Sequence, residues 1–226
     1  MDGFYIILMM VLMVLSSLAS VAVTRKFNKY ARVPVSCGKS ADRVAQELLY
    51  RYGSNVTLTR VSGTLTDHYS PTQQTVGLST AVYGSASVAA VAVAAHEIGH
   101  VLQYQEGYGL IRLRNKVLPV ANIASSFSPY IVIVGLLLSS YNLAMVGVVL
   151  YAAMLLFQFA TLPVELNASS RALKMLQEGG YITNEELPGA REVLRAAAMT
   201  YVYAALSALV SFLRLFSIAS SAKRKE

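Results

Sequence analysis

The sequence predicts a mostly α-helical membrane protein, with about four transmembrane helices and a small α+β domain that carries an H-E-x-x-H motif on a helix. Three observations predict it. Of the 226 residues, 55% are hydrophobic and only 14% charged, against about 25% charged in soluble domains, and the apolar excess is gathered in long blocks. Between the first two blocks lies a polar-to-mixed segment with short alternating, β-branched stretches. That segment ends in an apolar run of helical character, Ser87 to about Gln105, which contains His96-Glu97-Ile98-Gly99-His100.

Gly3 to Val23 is the first block, long enough to span a bilayer. It lacks the charged start and small-residue cleavage site of a signal peptide, so it reads as a retained anchor. Arg25, Lys26, Lys29 and Arg32 follow at once. By the positive-inside rule they put the N-terminus outside and the next segment in the cytoplasm of a cell bounded by this plasma membrane. Ser40 is expected to cap an amphipathic helix, Ala41 to Tyr52, whose Val44, Ala45, Leu48 and Leu49 recur at helical spacing. Val56 to Val61 is a strand candidate; Ser62-Gly63 turns, Thr64 to Tyr69 is a second, and Thr75 to Leu78 a third. After the motif helix, Gly107-Tyr108-Gly109 breaks the chain, and Arg112, Arg114 and Lys116 mark its return to the membrane. Leu118 to Leu138 and Leu143 to Leu162 are two more spans, which Pro119, Pro129 and Pro163 are expected to end or kink. Glu165 to Gln177 continues as a helix closed by Gly179-Gly180. Thr183 with Glu186 forms a capping box ahead of a last apolar run, Arg195 to Arg214. Four spans leave Lys223, Arg224 and Lys225 outside, against the rule, although the eleven Lys and Arg from Arg25 to Lys116 outvote them. The domain organisation that follows is an anchor at 1–24, a cytoplasmic catalytic segment at 25–116, two transmembrane helices at 117–163, a helical segment at 164–194, and a C-terminal span with a basic tail at 195–226.

The net charge of +7 reads as membrane topology. No nucleic-acid motif or interleaving of basic and aromatic residues accompanies it, so nucleic acid is excluded as a partner. The single cysteine, Cys37, allows no intrachain disulfide. The sequons at Asn55 and Asn167 carry no meaning in a cytoplasmic segment.

The motif carries the chemistry. Positions four apart share a helix face, so His96 and His100 can present both imidazoles to one metal ion. Glu97 can reach a metal-activated water without binding the metal, and zinc lowers the pKa of such a water to about 7. Glu97 is therefore the candidate general base of a peptide-bond hydrolysis. Gly99 leaves room near the metal, and three polar groups in so apolar a helix would be costly without a ligand.

Catalytic zinc takes three protein ligands. His68, the remaining histidine, is one candidate for the third and a downstream carboxylate is the other. Glu106 lies on a different face of the motif helix, and Glu178, Glu185, Glu186 and Glu192 have polar surroundings. Glu165 falls at a membrane boundary on an apolar helix start, where a solvated face does not account for it, and it is our choice. Asn167, Ser169 and Arg171 are placed to hold Glu165 or a ligand imidazole. His68 and Tyr69, on the strand candidate before the motif helix, can donate to a developing oxyanion, and an extended substrate can pair with that strand.

A membrane anchor, Thr66-Asp67-His68-Tyr69-Ser70-Pro71, the His96-to-His100 motif and Leu162-Pro163-Val164-Glu165-Leu166-Asn167-Ala168-Ser169 occur in this order. Together with Leu118-Pro119-Val120-Ala121-Asn122 and Glu178-Gly179-Gly180, they resemble the bacterial membrane-bound neutral zinc metallopeptidases, the YugP-like family, over nearly the whole chain. The HtpX-type membrane proteases are a more distant likeness. The resemblance implies a zincin-like domain with zinc at His96, His100 and Glu165, and Glu97 as base. Ser169 stands where the HtpX type has aspartate, and Ser70 where the YugP-like pattern has it.

The expected activity is that of a membrane-anchored zinc endopeptidase. Its partners would be a protein or peptide substrate and the lipid bilayer, with a membrane-protein partner or a second copy as further candidates. The alternative is a non-catalytic membrane scaffold or assembly factor that keeps zinc in a closed structural site. A transporter would want ionisable residues inside the spans, and the two middle spans have none.

Overall fold

The computed structural model describes residues 2–222. Lys223, Arg224 and Lys225, on which the topological conflict turned, lie outside them. The chain runs α1 (Asp2–Tyr30), α2 (Ala41–Arg51), β1 (Thr57–Val61), β2 (His68–Ser70), β3 (Thr75–Ser79), α3 (Val88–Gln105), α4 (Gly109–Leu137), α5 (Tyr141–Glu178) and α6 (Leu187–Ala222). Among the described residues, four helices are long and apolar enough to cross a membrane: Gly3–Tyr30, Gly109–Leu137, Tyr141–Glu178 and Leu187–Ser221. Helices dominate, and one small sheet accompanies them. Two compact units divide the described residues: those up to Leu18 with Gly109–Pro163 and those from Thr200 on, and Ala19–Tyr108 with Val164–Met199.

The second unit holds the sheet and the motif. Its strand order is β1-β3-β2, with β1 parallel and β2 antiparallel to the central β3. The second strand starts later than the alternation predicts. Gly63 and Leu65 take left-handed backbone angles (φ 106° and 57°), and the Thr66 hydroxyl donates to the Ser62 carbonyl at 2.9 Å. Thr64 to Asp67 therefore curl, and only His68–Ser70 pair. Asp67 closes this curl by accepting from the Ser79 amide (2.7 Å) and hydroxyl (2.9 Å).

Helix α2 lays Ala41, Val44, Ala45, Leu48 and Leu49 into the core, the stripe that its spacing predicts. Ser40 stands at its N-cap but makes no side-chain cap bond; the Ala41 amide is taken by the Ser85 carbonyl. The α3 N-terminus is capped as a serine should cap it, Ser87 Oγ accepting from the Ala90 amide. Beyond the cap, Ala89 to Ala92, Ala94, Ala95, Ile98 and Val101 are fully enclosed or nearly so. α3 is the axis of this core, covered on most sides, and so it shows little amphipathic contrast.

In the other unit, Pro119 and Pro129 lie inside α4. Likewise α5 runs through Pro163 without ending. Proline removes one amide donor, a loss that does not end the helix here. The Ser128 hydroxyl, buried, donates to the Gly147 carbonyl at 2.8 Å and ties α4 to α5. Beyond Pro163 the chain belongs to the unit that holds the sheet, where α5 closes with Gly180 at φ 66° and the Tyr181 amide returning to the Leu176 carbonyl, a Schellman closure. Glu186 reaches back to the Thr183 amide at 2.9 Å, the reciprocal half of the expected capping box.

Candidate metal centre

One helical turn of α3 separates His96 from His100, whose ring centroids are 4.8 Å apart at 83°. From α5, Glu165 sets one oxygen against both: Oε2 is 3.3 Å from His96 Nε2 and 3.5 Å from His100 Nε2. All three ligand atoms lie within 4.8 Å of one another. Two ligands of a tetrahedral zinc, each about 2.0–2.2 Å from the ion, stand about 3.4 Å apart. Two imidazole nitrogens and one carboxylate oxygen fit zinc in kind, number and spacing. Glu165 is only 5% exposed, and a carboxylate so enclosed is costly without a positive partner.

The approach of α3 to α5 depends on Gly99. A Cβ there would meet the Ala168 carbonyl oxygen at 2.7 Å, inside any real contact. The sequence suggests that Gly99 makes room for a metal; the room is in fact filled by the backbone of α5, which brings Glu165 to the histidines.

Each imidazole is held at its other nitrogen. The Ser169 hydroxyl lies 3.2 Å from His96 Nδ1. Asn167 and Arg171 reach neither Glu165 nor an imidazole in this way. Instead Gln103 Oε1 lies 3.0 Å from His100 Nδ1. Gln103 Nε2 donates to the Val164 carbonyl (2.8 Å) and to Asn167 Oδ1 (3.0 Å). Arg171 Nε donates to the same Asn167 oxygen at 2.8 Å and its Nη2 pairs with Glu106 at 2.7 Å. Sequence reasoning passes over Gln103, because Tyr104, Gln105 and Glu106 after it make it look like part of an ordinary polar helix end. The Asn167 sequon is occupied by this network.

Glu97 is 7% exposed, beside the two histidines. Burial pushes its carboxyl above the ordinary carboxylate range; the imidazoles oppose this, and Glu165 and Asp67 add to it. Tyr69 packs edge-on against Tyr104 of α3, centroids 5.4 Å apart. Burial pushes its phenol upward in pKa, with Tyr104 contributing, so its hydroxyl stays protonated. His68 is the adjacent strand residue and takes the opposite face: exposed, with Nδ1 2.9 Å from the Thr66 carbonyl. A Cβ on Gly77 would meet its ring. His68 is outside the His96, His100 and Glu165 group found among the described residues.

The comparisons agree in class with this arrangement. A family model described as "Putative neutral zinc metallopeptidase" matches residues 5–220. A relative from Bacillus subtilis (strain 168), "Putative membrane protease YugP", is 46% identical over 205 residues, which cover 90% of this chain and 91% of the relative. No solved structure matches. With nearly its whole length matched by the model, the chain belongs to the neutral zinc metallopeptidase family.

Proposed function

We propose that this protein is a membrane-anchored zinc endopeptidase in which His96, His100 and Glu165 hold the metal and Glu97 is the general base. The observation that carries the reading is the buried Glu165 oxygen lying 3.3 and 3.5 Å from the two Nε2 atoms, with Glu97 enclosed beside them. Zinc held there supplies Lewis acidity, both to water and to the scissile carbonyl.

The remaining work falls to the chain. β2 is an edge strand of the sheet and leaves one side open for an extended peptide to add as a further strand. Glu97 removes a proton from the attacking water as its oxygen bonds to the carbonyl carbon. The same carboxyl then gives that proton to the amine nitrogen as the C–N bond breaks. Tyr69, on the face of β2 turned toward α3, donates to the oxyanion; His68, on the other face, serves the substrate's approach. Ser169 holds His96, and Asn167 and Arg171 act at one remove. A scaffold with a closed zinc site would require a fourth protein ligand, and His68 is not in the ligand group. On this reading the sheet and α3 form the zincin-like catalytic segment within 25–116, with Glu165 supplied from 164–194. The Lys and Arg that follow the first span support a site on the cytoplasmic face of the plasma membrane.

Cleavage of unfolded casein in detergent, by zinc-loaded wild type and by Glu97→Gln, tests the proposal. The variant is expected to keep its zinc and lose about 10²–10⁴-fold in rate. Equal cleavage by both would sink the assignment of the base. Zinc bound by both with cleavage by neither would favour the scaffold.

A further inference from the structure

We propose that Gln103 is the positioning residue of the centre: it fixes His100 as the Nδ1–H tautomer, so that the Nε2 lone pair faces the metal position beside Glu165. The inference rests on the zinc reading above only for what that lone pair is used for.

The direction of each bond follows from groups that act in one sense only. Arg171 can only donate, so the Asn167 atom 2.8 Å from its Nε is the carbonyl oxygen. The Val164 backbone oxygen can only accept. The end of Gln103 that faces both of these oxygens, at 3.0 and 2.8 Å, must therefore be its NH₂, and both of its protons are used. That leaves Gln103 Oε1 toward His100 Nδ1 at 3.0 Å, where an oxygen without protons obliges the imidazole to donate. Glu106 anchors the far end by its 2.7 Å pair with Arg171. From His100 through Gln103 to Asn167 each group donates to the next, and at Asn167 Oδ1 this run meets the opposed donation of Arg171, which also donates to Glu106. Gln103 is fully buried, so no water competes for its amide.

His96 is held differently. A hydroxyl can donate or accept, so Ser169 tolerates either tautomer of His96, whereas Gln103 permits one for His100. Gln103 also ties the two ligand elements together: it belongs to α3, and Val164 directly precedes Glu165 on α5. One carboxamide thus sets both the ring orientation of the second histidine and the placing of the carboxylate segment.

The full chain has three histidines, so ¹⁵N-histidine NMR of the metal-free protein in detergent, at alkaline pH, can report each tautomer directly. Wild type, Gln103→Met, Gln103→Glu and Ser169→Ala would be compared, with zinc affinity measured by chelator competition. His100 is expected to be Nδ1–H in wild type and in Ser169→Ala. In Gln103→Met it is expected to move toward the Nε2–H form, with zinc affinity falling about 10–100-fold. Gln103→Glu keeps an acceptor facing Nδ1 and is expected to keep the tautomer, while its second oxygen, with no proton to give to the Val164 and Asn167 oxygens, is expected to cost part of the affinity. A wild-type His100 found as Nε2–H, or a Gln103→Met protein with unchanged tautomer and affinity, would overturn the proposal. Should Gln103→Met not fold, the wild-type tautomer decides alone, and His100 found there as Nε2–H overturns the proposal. Wild type that holds the Nδ1–H tautomer but binds no zinc would refute the metal reading and leave the tautomer assignment standing.

Discussion

The two compact units treat their large side chains in opposite ways. In the unit containing α3, Leu48, Leu78, Ile98 and Leu176 are fully enclosed, and the core they form is continuous with α2, the sheet and the start of α6. In the other unit, Leu137 is 79% exposed and Leu138 68%, with Ile123, Phe127 and Ile133 more than half exposed. Water would penalise such a surface, whereas a bilayer is as apolar as the side chains themselves. Buried polar groups differ too. Ser128 and Thr161 return their hydroxyls to the backbone carbonyls of Gly147 and Phe157, as a membrane helix requires. Glu97, Gln103 and Glu165 are enclosed around the candidate metal position. One unit is stabilised by what surrounds it, and the other by what it encloses.

The contrast can be broken at four points. Glu165→Gln should weaken zinc binding beyond the ~10–100-fold expected of a residue that merely supports a ligand, whereas Ser128→Ala should leave it unchanged; metal analysis after gel filtration reads both. Leu176→Ala should cost about 2–5 kcal/mol, and Leu137→Ala less than about 0.5 kcal/mol, in denaturation in the same detergent. Equal losses would mean that the exposed leucines are covered by protein after all. A third point is Gly99→Ala, where a methyl forced against the Ala168 carbonyl should cost about 1–3 kcal/mol and loosen zinc with it. The smallest effect is expected of Glu106→Gln, less than about 1 kcal/mol, because its pair with Arg171 is exposed on the acidic side; a larger loss would extend the enclosed network to the surface.

Much of this was legible in the sequence wherever a local rule decides the outcome. The apolar blocks, the Thr183–Glu186 box and the glycine closure after Glu178 all obey short-range physics. The spacing of His96 and His100 put both rings on one face for the same reason. Glu165 could be singled out because a carboxylate on an apolar helix start is anomalous. What the sequence hid was set by distant partners. Asp67 bends the chain toward Ser79, so the second strand begins at His68. Gln103 looks like any helix glutamine until α5 brings the Val164 carbonyl to it. Pro163 looks like a terminator, yet α5 passes through it.

The two middle letters of H-E-x-x-H look interchangeable on paper. Here they carry very different amounts of information. Position 98 asks for bulk, since Ile98 is fully enclosed in the core; position 99 asks for nothing at all, since the Ala168 carbonyl occupies the place of a side chain. A library randomised at both positions and selected for bound zinc would thus return a small family of aliphatics at the first and a single residue at the second. The spacer between the histidines is itself a specification of how closely a second helix can approach.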